Sequence, residues 1–470
     1  MSAPALSANP TPTPNLLAEL KWRGMYHDAM PGIAEHLTQN APVSGYIGFD
    51  PTAASLHIGN LATIMLLVHL QRAGHRPVAL VGGATGMIGD PSGKSAERNL
   101  LDEATLRRNQ EGIRVQLAKF LDFNDSPTGA VLVNNYDWFK EFGFLQFLRE
   151  VGKHLTINYM MAKDSVKRRI GGTDDAGGSG NSSGTEGISY TEFSYQLLQG
   201  YDFVHLYRTL NCTLQMGASD QWGNITTGTE LIRRLGAETA ADLEISQQET
   251  RNNNQQPAKA YALTGQLITK ADGTKYGKSE TGTVWLDPAL TSPYQFYQFF
   301  LRADDADAPR LIRVFTLLSQ AEIEALEAEH ARNPGLKTLQ KALAKDVTTR
   351  VHSAAACEAA IAASQVLFGG GDLTALDEPT LLDVFAGVPH LRVARADTAA
   401  MNLAVLLSEA TNQQILPSRG EVRKLIQANG LSLNGQKATS PDALVAGLPL
   451  LLGKYLVVKK GRNYFLVEMA

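Results

Sequence analysis

The chain has 470 residues, of which 19% are charged and 44% hydrophobic, and its formal net charge is −4. This length suits about two to four domains with substantial cores, and no apolar run approaches the roughly 20 residues that cross a bilayer. Residues 1–14 are mostly Ala, Pro, Thr, Ser and Asn without Lys or Arg, which predicts a disordered tail rather than a targeting segment. Cys212 and Cys357 are too few for a disulfide framework and favour a reducing cytoplasm.

The first part of the chain has the pattern of a βαβ unit. Residues 15–40 are predicted to form a helical lead-in, and an apolar strand follows near 45–49. After a turn, the apolar residues of 57–73 fall at helical spacing, and a second apolar strand covers 76–82. This succession predicts a parallel sheet with a right-handed crossover.

The later part divides by composition. The glycine-rich segment 171–187 predicts a flexible surface loop to which no chemistry is assigned. Residues 291–390 are helical in pattern and rich in Ala and Leu, and a final module carries a helix near 421–428 and short strands. The predicted division is a tail at 1–14, a catalytic domain at 15–290, a helical domain at 291–390, a linker at 391–404 and a C-terminal module at 405–470.

Two short motifs are suited to phosphate chemistry. In the sequence HIGN, His57 stands at a predicted helix start, where free N–H groups and a partial positive charge attract phosphate. Gly59 allows close approach there, and Asn60 adds a donor. An amphipathic helix capped by Ser55 explains these four residues equally well when they are taken alone.

The second motif, KYGKS at 275–279, places Lys275 and Lys278 around a glycine. Two such lysines form a cationic clamp, which suits a reaction that expels pyrophosphate because the charge peaks in the transition state. A solvated basic loop is the commoner explanation of this spacing by itself. The glycine-rich stretch 82–95 is not a P-loop, because the residue five positions before Gly93 is Ile88.

A predicted helix presents three polar side chains on one face. Tyr195, Gln199 and Asp202 are spaced i, i+4 and i+7. A phenol, an amide and a carboxylate on one face suit a small polar ligand. From this segment alone, a solvent-facing stripe remains the alternative.

Together these segments resemble a known family. The two motifs, in this order and with GFDPTA at 48–53 before the first, resemble the paired ATP-handling motifs of class I aminoacyl-tRNA synthetases. The polar helix resembles the tyrosine-binding helix of bacterial-type tyrosyl-tRNA synthetases, and the likeness extends from about Leu16 to Ala470. It implies an α/β protein: a Rossmann-like parallel-sheet catalytic domain, then an α-helical domain and a small C-terminal α+β RNA-binding module.

The resemblance also implies roles for individual residues. Those implied in catalysis are Thr52, His57, Asn60, Lys94, Arg98, Lys275, Lys278 and Ser279. Those implied in ATP binding are Gly48, Asp50, His57, Gly59, Asn60, Asp220, Lys275 and Lys278. Those implied in tyrosine binding are Tyr46, Asp90, Tyr195, Gln199, Asp202 and Gln221, with Tyr46 and Asp202 on the phenolic hydroxyl.

This sequence departs from the family pattern at three of the surrounding positions. The family most often has His where Asn60 stands, Gly where Ala218 stands, and in many members a polar Cys where Ile47 stands. Ile47 cannot hydrogen-bond the ribose, and Ala218 is expected to be tolerated.

The C-terminal residues 401–470 hold eight lysines and arginines against four acidic residues. Within them, 416–435 resemble a small RNA-binding module shared with a ribosomal small-subunit protein. Arg419, Arg423 and Lys424 stand at a helix start, where phosphate contact is natural. A charged, solvated helix face is the simpler alternative.

The implied function is activation of L-tyrosine by ATP, with Mg²⁺ accompanying ATP, and transfer of tyrosine to the 3′ end of tRNA(Tyr). The implied protein is a cytoplasmic homodimer without membrane contact and without bound zinc or another protein-held metal. Two alternatives are a tryptophanyl-tRNA synthetase and a non-catalytic RNA-binding protein of the same fold. An indole offers no hydroxyl to Tyr46 and Asp202, which argues against the first, and the intact phosphate-handling set argues against the second.

Overall fold

The computed structural model describes residues 15–51, 53–88, 102–163, 166–167, 188–235, 259–269, 276, 278–279, 282–366, 372–398, 400–461 and 463–470. These fall into two compact units. The first contains the described residues up to Asp287 together with Asp304–Leu339, and the second contains Pro288–Ala303 and those from Gln340 onward.

The helices of the described residues are α1 (Leu16–Trp22), α2 (Ile33–Gln39), α3 (Ile58–Arg72), α4 (Thr85–Ile88), α5 (Glu103–Leu117), α6 (Tyr136–Phe139), α7 (Phe144–Glu150), α8 (Ile157–Met161), α9 (Tyr190–Leu210), α10 (Trp222–Leu235), α11 (Pro293–Leu301), α12 (Ala308–Phe315), α13 (Gln320–Arg332), α14 (Thr338–Val351), α15 (Ala354–Val366), α16 (Glu378–Val384), α17 (Leu403–Val405) and α18 (Arg419–Gln427). The strands are β1 (Tyr26–Ala29), β2 (Ser44–Phe49), β3 (Arg76–Val81), β4 (Val131–Asn134), β5 (Cys212–Ala218), β6 (Tyr261–Gly265), β7 (Lys278–Ser279), β8 (Gly282–Thr283), β9 (His390–Val393), β10 (Leu431–Leu433), β11 (Gln436–Lys437), β12 (Tyr455–Lys460) and β13 (Asn463–Met469).

The first unit is built on a six-stranded sheet in the order β1-β6-β5-β2-β3-β4. Neighbouring strands from β6 to β4 run parallel, and β1 pairs antiparallel with β6 at one edge. The predicted βαβ unit is observed as β2, α3 and β3. The predicted helical lead-in is wrong over Tyr26–Ala29, because this segment finds its partner in β6, far along the chain, and local spacing does not reveal that pairing.

Helix α3 is apolar on most of its surface because it is covered from both sides. It packs on β2 and β3 of the sheet and on helices α1 and α12. Nine of its fifteen residues are buried. This burial fixes the start of α3 at the edge of the sheet, which is where His57 precedes it.

The strand order creates a crevice between β2 and β5. From β2 the chain winds outward to β3 and β4, and from β5 it winds the opposite way to β6. In open parallel sheets, ligands bind outside the carboxyl ends of the strands at such a switch point. The sheet therefore predicts a site where β2 and β5 end.

The second unit contains a sheet in the order β11-β10-β12-β13-β9. Its apolar residues form one buried cluster with α17 and α18, and Leu406, Val422 and Val467 are fully buried members. Strand β9 falls at the start of the predicted linker 391–404, where it pairs in parallel with β13. Helices α12 and α13, which lie within the predicted helical domain, belong to the first unit.

None of the helices in the described parts of the chain has the length and apolar character of a membrane span.

Candidate active site

A cavity of about 540 Å³ opens at the carboxyl ends of β2 and β5. Eleven of the residues predicted for ATP or tyrosine line it together: Tyr46, Gly48, Asp50, His57, Gly59, Asn60, Tyr195, Gln199, Asp202, Asp220 and Gln221. Ile47 and Ala218, the other two departures from the family pattern beside Asn60, also line it. The fold thus collects residues from β2, α3, α9 and the turn after β5 around one space.

Part of the predicted site lies outside the described residues. These positions are Thr52, Asp90, Lys94, Arg98 and Lys275. For Lys278 and Ser279 only the backbone is described, which forms β7 and pairs antiparallel with β8.

One end of the cavity is closed by Tyr46 and Asp202. Both are buried, at 1% and 2% exposure. The carboxylate of Asp202 accepts a hydrogen bond from Asn135 Nδ2 at 3.1 Å and one from Trp138 Nε1 at 3.0 Å. Burial raises the pKa of Asp202 well above its usual range, although the two donors oppose that shift.

The Tyr46 hydroxyl is buried and has no hydrogen-bond partner among the described residues. The Oε1 atoms of Gln199 and Gln215, which line the same cavity, are in the same condition. A buried polar atom without a partner costs free energy. Three such atoms in residues that line one cavity support a polar ligand there.

A hydrogen-bonded chain connects Asp202 to Asp50, both of which line the cavity. Asn135 Nδ2 also donates to Thr85 Oγ1 at 3.0 Å, and Thr85 donates to Asp50 Oδ1 at 3.0 Å. Tyr195 donates to Asp50 Oδ2 at 3.0 Å. The two carboxylates therefore share one positioned network.

The opposite end of the cavity is formed by the HIGN segment. His57 is the N-cap of α3, and its backbone N–H donates to Asn60 Oδ1 at 3.1 Å. A Cβ on Gly59 would fall within 2.9 Å of the His57 ring, so this glycine makes room for the imidazole. The helix start is thus shaped to hold a histidine at the positive end of the helix dipole.

The first motif is joined by backbone hydrogen bonds to the segment that follows the second motif. Ile58 N donates to Val284 O at 3.0 Å, and Leu286 N donates to Leu56 O at 2.8 Å. The rings of His57 and Trp285 meet edge to face at 6.0 Å. This pairing holds the two motifs in one site.

Within the second motif, Tyr276 is described and lines the cavity. Its ring stacks on Phe315 of α12 with centroids 5.8 Å apart, and its N–H donates to Ile268 O at 3.2 Å. Burial raises the pKa of Tyr276. Arg310 of α12 donates to Thr269 O, so α12 contacts the chain on both sides of residues 270–275.

Sequence reasoning missed three contributors to this site: Thr85, Asn135 and Trp138. A signal existed for Asn135, which follows directly after an apolar strand and therefore stands at the carboxyl edge of a parallel sheet. No comparable signal marked Trp138, because its approach to α9 depends on the strand order.

The predicted RNA-binding residues lie on α18 in the second unit. Arg419 Nη2 lies 2.6 Å from Glu409, Arg423 Nη2 lies 3.6 Å from Asp442, and Lys424 Nζ lies 3.0 Å from Glu421. All three cations are more than half exposed. An RNA phosphate would therefore exchange with exposed carboxylates, which are weakly held partners.

The family follows from comparison with known proteins. Residues 38–369 match the model for class I tRNA synthetases of the tryptophan and tyrosine group, and 380–467 match the tyrosine–tRNA ligase SYY-like C-terminal domain. The chain therefore belongs to the class I tRNA synthetases, and its predicted fold class is confirmed.

Within that class the chain groups with tyrosine–tRNA ligases. The tyrosine–tRNA ligase of Cytophaga hutchinsonii is 57% identical over 459 residues, which covers 97% of this chain and 99% of the relative. That of Bacteroides fragilis (strain ATCC 25285) is 55% identical over 458 residues, covering 96% and 99%.

Two solved structures of tyrosyl-tRNA synthetases are similar in fold to this chain. A C-terminally truncated mitochondrial tyrosyl-tRNA synthetase of Coccidioides posadasii has a TM-score of 0.60 at 30% identity, covering 74% of this chain and 91% of the other. The corresponding Aspergillus nidulans structure has a TM-score of 0.64 at 26% identity, covering 75% and 94%.

Proposed function

We propose that this chain catalyses the tyrosine–tRNA ligase reaction: it activates L-tyrosine with ATP and transfers the tyrosyl group to the 3′ end of tRNA(Tyr). The observation that carries the proposal is the buried pair of Tyr46 and Asp202 at the closed end of the cavity. The relatives that match nearly the whole chain bear the same activity in their names.

The closed end is suited to a phenolic hydroxyl. That hydroxyl would donate to Asp202 and accept from Tyr46, whose own hydroxyl has no partner among the described residues. A phenylalanine side chain would leave both groups buried and unpaired. Strong rejection of phenylalanine on this ground is a known property of tyrosyl-tRNA synthetases as a class.

The amino and carboxyl groups of tyrosine would lie between the two ends of the cavity. Tyr195 and Gln199 of α9 and Asp90 are assigned to the ammonium, and Gln221 to the region of the carboxylate. Gln199 supports this assignment because its Oε1 atom is buried in the cavity wall without a partner among the described residues.

ATP would occupy the open end. Gly48 and Asp50 are assigned to the side of the adenylate, Asp220 to the ribose, and His57 with Gly59 and Asn60 to the phosphates. Thr52, Lys94, Arg98, Lys275, Lys278 and Ser279 complete the predicted phosphate set. Support for the set comes from the pairing of residues 56–58 with 284–286, which brings both motifs to one place.

In the first step, a carboxylate oxygen of tyrosine forms a bond to the α-phosphorus of ATP and pyrophosphate leaves. The carboxylate is already ionised, so no general base is needed. Catalysis then comes from positioning and from stabilising the charge on the leaving group. Mg²⁺ accompanying ATP supplies further charge neutralisation on the phosphates.

In the second step, a hydroxyl of the terminal tRNA ribose attacks the tyrosyl carbonyl carbon and AMP leaves. Arg419, Arg423 and Lys424 of α18 are assigned to RNA phosphates. The match of this region to the C-terminal domain of tyrosine–tRNA ligases supports that assignment. Replacing all three with Gln should weaken tRNA binding and flatten its salt dependence while adenylate formation persists.

We also propose that the protein is a cytoplasmic homodimer. Helices α7 and α8 expose Phe144 at 66%, Leu145 at 78% and Ile157 at 64%. Phe147 and Met160, on the same helices, pack on one core cluster, so the exposed residues flank a common region. Sedimentation should show that Leu145→Asp favours monomers, whereas Leu336→Asp, at another exposed leucine, should not.

The experiment that tests the activity is ATP–pyrophosphate exchange with each of the standard amino acids in the absence of tRNA. Exchange with tyrosine alone supports the proposal. Exchange with tryptophan would assign the closed end to an indole instead. No exchange from folded protein that still binds tRNA would favour a non-catalytic RNA-binding role.

A further inference from the structure

Helix α5 runs beside the connection between β2 and α3. The part of this connection that α5 meets, Pro51 and Ala53–Leu56, leads directly into His57. Three residues of α5 meet this connection at spacings of three and four, which place them along one side of the helix. We call these residues, Asn109, Gly112 and Gln116, the α5 stripe.

Gln116 is the most extensively bonded member of the α5 stripe. Its Oε1 accepts from Leu56 N at 2.8 Å, and its Nε2 donates to Ser55 Oγ at 3.0 Å. Gln116 and Ser55 are buried, at 5% and 4% exposure. Ser55 Oγ also accepts from Asp287 N at 3.1 Å, so the same bonds reach the segment after the second motif.

The other two members, Gly112 and Asn109, meet the connection one and two turns before Gln116 on α5. Asn109 Nδ2 donates to Pro51 O at 2.8 Å, and Asn109 is 5% exposed. A Cβ on Gly112 would lie 2.0 Å from Ala54 O, which no side chain tolerates without a shift of the backbone. Glycine therefore lets α5 approach the connection closely enough for the two amides to reach it.

None of the α5 stripe lines the cavity, whereas Ser55 and Leu56 do. The two side-chain amides of the stripe are buried and hydrogen-bond a connection that contains no strand or helix. A buried amide left without these partners would be costly. These hydrogen bonds fix the backbone at Leu56. Because His57 is the next residue in the chain, they also limit the movement of His57.

We propose that the α5 stripe is a set of positioning residues for His57 in adenylate formation, acting through the connection of Pro51 and Ala53–Leu56. This inference rests on the proposed function, since it assigns His57 to the phosphates of ATP. A positioning residue of this kind affects the rate of the chemical step and leaves the closed end of the cavity unchanged. Misplacement of a reacting group by about 1 Å is enough for a 100-fold loss of rate.

The test uses Gln116→Met, which keeps the length of the side chain and removes the hydrogen bonds of its amide. The control is Val115→Met, which introduces the same side chain at the neighbouring position, where valine is 49% exposed. Single-turnover formation of tyrosyl-adenylate is measured beside the equilibrium Kd for tyrosine. We expect the rate constant to fall about 10- to 100-fold in Gln116→Met, with the tyrosine Kd within about twofold and the control unchanged.

Two further variants separate positioning from general damage. Gln116→Glu keeps an acceptor for Leu56 N and should recover part of the lost rate. Asn109→Leu removes the donor to Pro51 O without adding a charge and should lower the rate less than Gln116→Met does. Equal loss of rate and of tyrosine binding in Gln116→Met, without recovery in Gln116→Glu, would mean general damage and would overturn the proposal.

A readout without catalysis keeps this inference distinct from the proposed function. Hydrogen exchange of a peptide covering residues 53–60 should be faster in Gln116→Met than in the unaltered chain or in Val115→Met. Failure of the unaltered chain to form adenylate would contradict the proposed function and with it the role assigned to His57. Unchanged exchange together with an unchanged rate in Gln116→Met would overturn the positioning role alone.

Discussion

The two ends of the cavity are built in different ways. At the closed end, Tyr46 and Asp202 are buried, and Asp202 is held by two donors from the region after β4. At the open end, His57 and Asn60 are half-buried and Gly59 is exposed. The closed end is suited to selecting a ligand in the ground state, and the open end to meeting charge that develops during reaction.

This difference predicts that substitutions at the two ends have different kinetic effects. Removal of a side-chain contact at the closed end should weaken the binding of tyrosine and its selection over phenylalanine. Loss at the open end should appear in the rate of adenylate formation, with tyrosine binding retained.

The largest effect is expected from Asp202→Asn. The amide cannot accept at both of its ends, so either Asn135 or Trp138 loses its acceptor, and the substrate hydroxyl loses a charged one. Hydrogen bonds to charged groups contribute about 1.5–3 kcal/mol each, so kcat/KM for tyrosine should fall about 1,000-fold. Steady-state exchange kinetics measure this, with Asp125→Asn as an exposed control. A fall confined to kcat, with KM for tyrosine unchanged, would contradict a binding role for the closed end.

A smaller loss of activity, in the rate of adenylate formation, is expected from His57→Ala at the open end. Removing one preorganised donor from a charged transition state costs about 100-fold in rate. The Kd for tyrosine, measured by equilibrium dialysis, should stay within about twofold. His27→Ala, at an exposed histidine outside the cavity lining, is the control. Weakened tyrosine binding in His57→Ala would contradict separate roles for the two ends.

Tyr46→Phe should have a smaller effect still. It removes a hydroxyl that has no hydrogen-bond partner among the described residues, so the free energy of unfolding should not fall. One neutral hydrogen bond to the substrate contributes about 1 kcal/mol, so the preference for tyrosine over phenylalanine should narrow about fivefold. Competition kinetics measure the ratio, and Tyr190→Phe, at a tyrosine 66% exposed, should leave it unchanged.

Asp202 also makes a prediction that needs no substrate. Its folded pKa is raised, mainly by burial, so its stabilising contribution is complete below the unfolded value near 3.8 and is lost as pH rises through the folded pKa. The free energy of unfolding of the unaltered chain should therefore fall relative to that of Asp202→Asn as pH rises from about 4 to 7. Urea titrations at several pH values measure the difference, and a difference independent of pH would show that burial does not control this carboxylate.

The closed end could be predicted only in part from the sequence. Tyr195, Gln199 and Asp202 share a helix face that helical spacing alone reveals, and all three line the cavity. Asn135 and Trp138 could not be assigned to Asp202 from spacing, because strand order brings the end of β4 to α9. Local patterns report periodicity, whereas these contacts depend on tertiary arrangement.

The same limit applies to short strands. The predicted helix of the final module corresponds to α18, and the predicted short strands correspond to β10, β12 and β13. Strand β9 has four residues and pairs with β13, which is more than sixty residues away. Strand β9 therefore depends on a distant partner, which local periodicity does not reveal.

The backbone pairing of residues 56–58 with 284–286 has a consequence for the order of assembly. These partners are separated by more than two hundred residues, so closing the contact carries a large loop-closure entropy and belongs to the slow class of native contacts. A chain growing on the ribosome cannot complete the nucleotide-binding end until Leu286 has left the exit tunnel. The strands β2 and β3, with α3 between them, are synthesised long before Leu286. During that interval the His57 ring lacks its contact with the Trp285 ring.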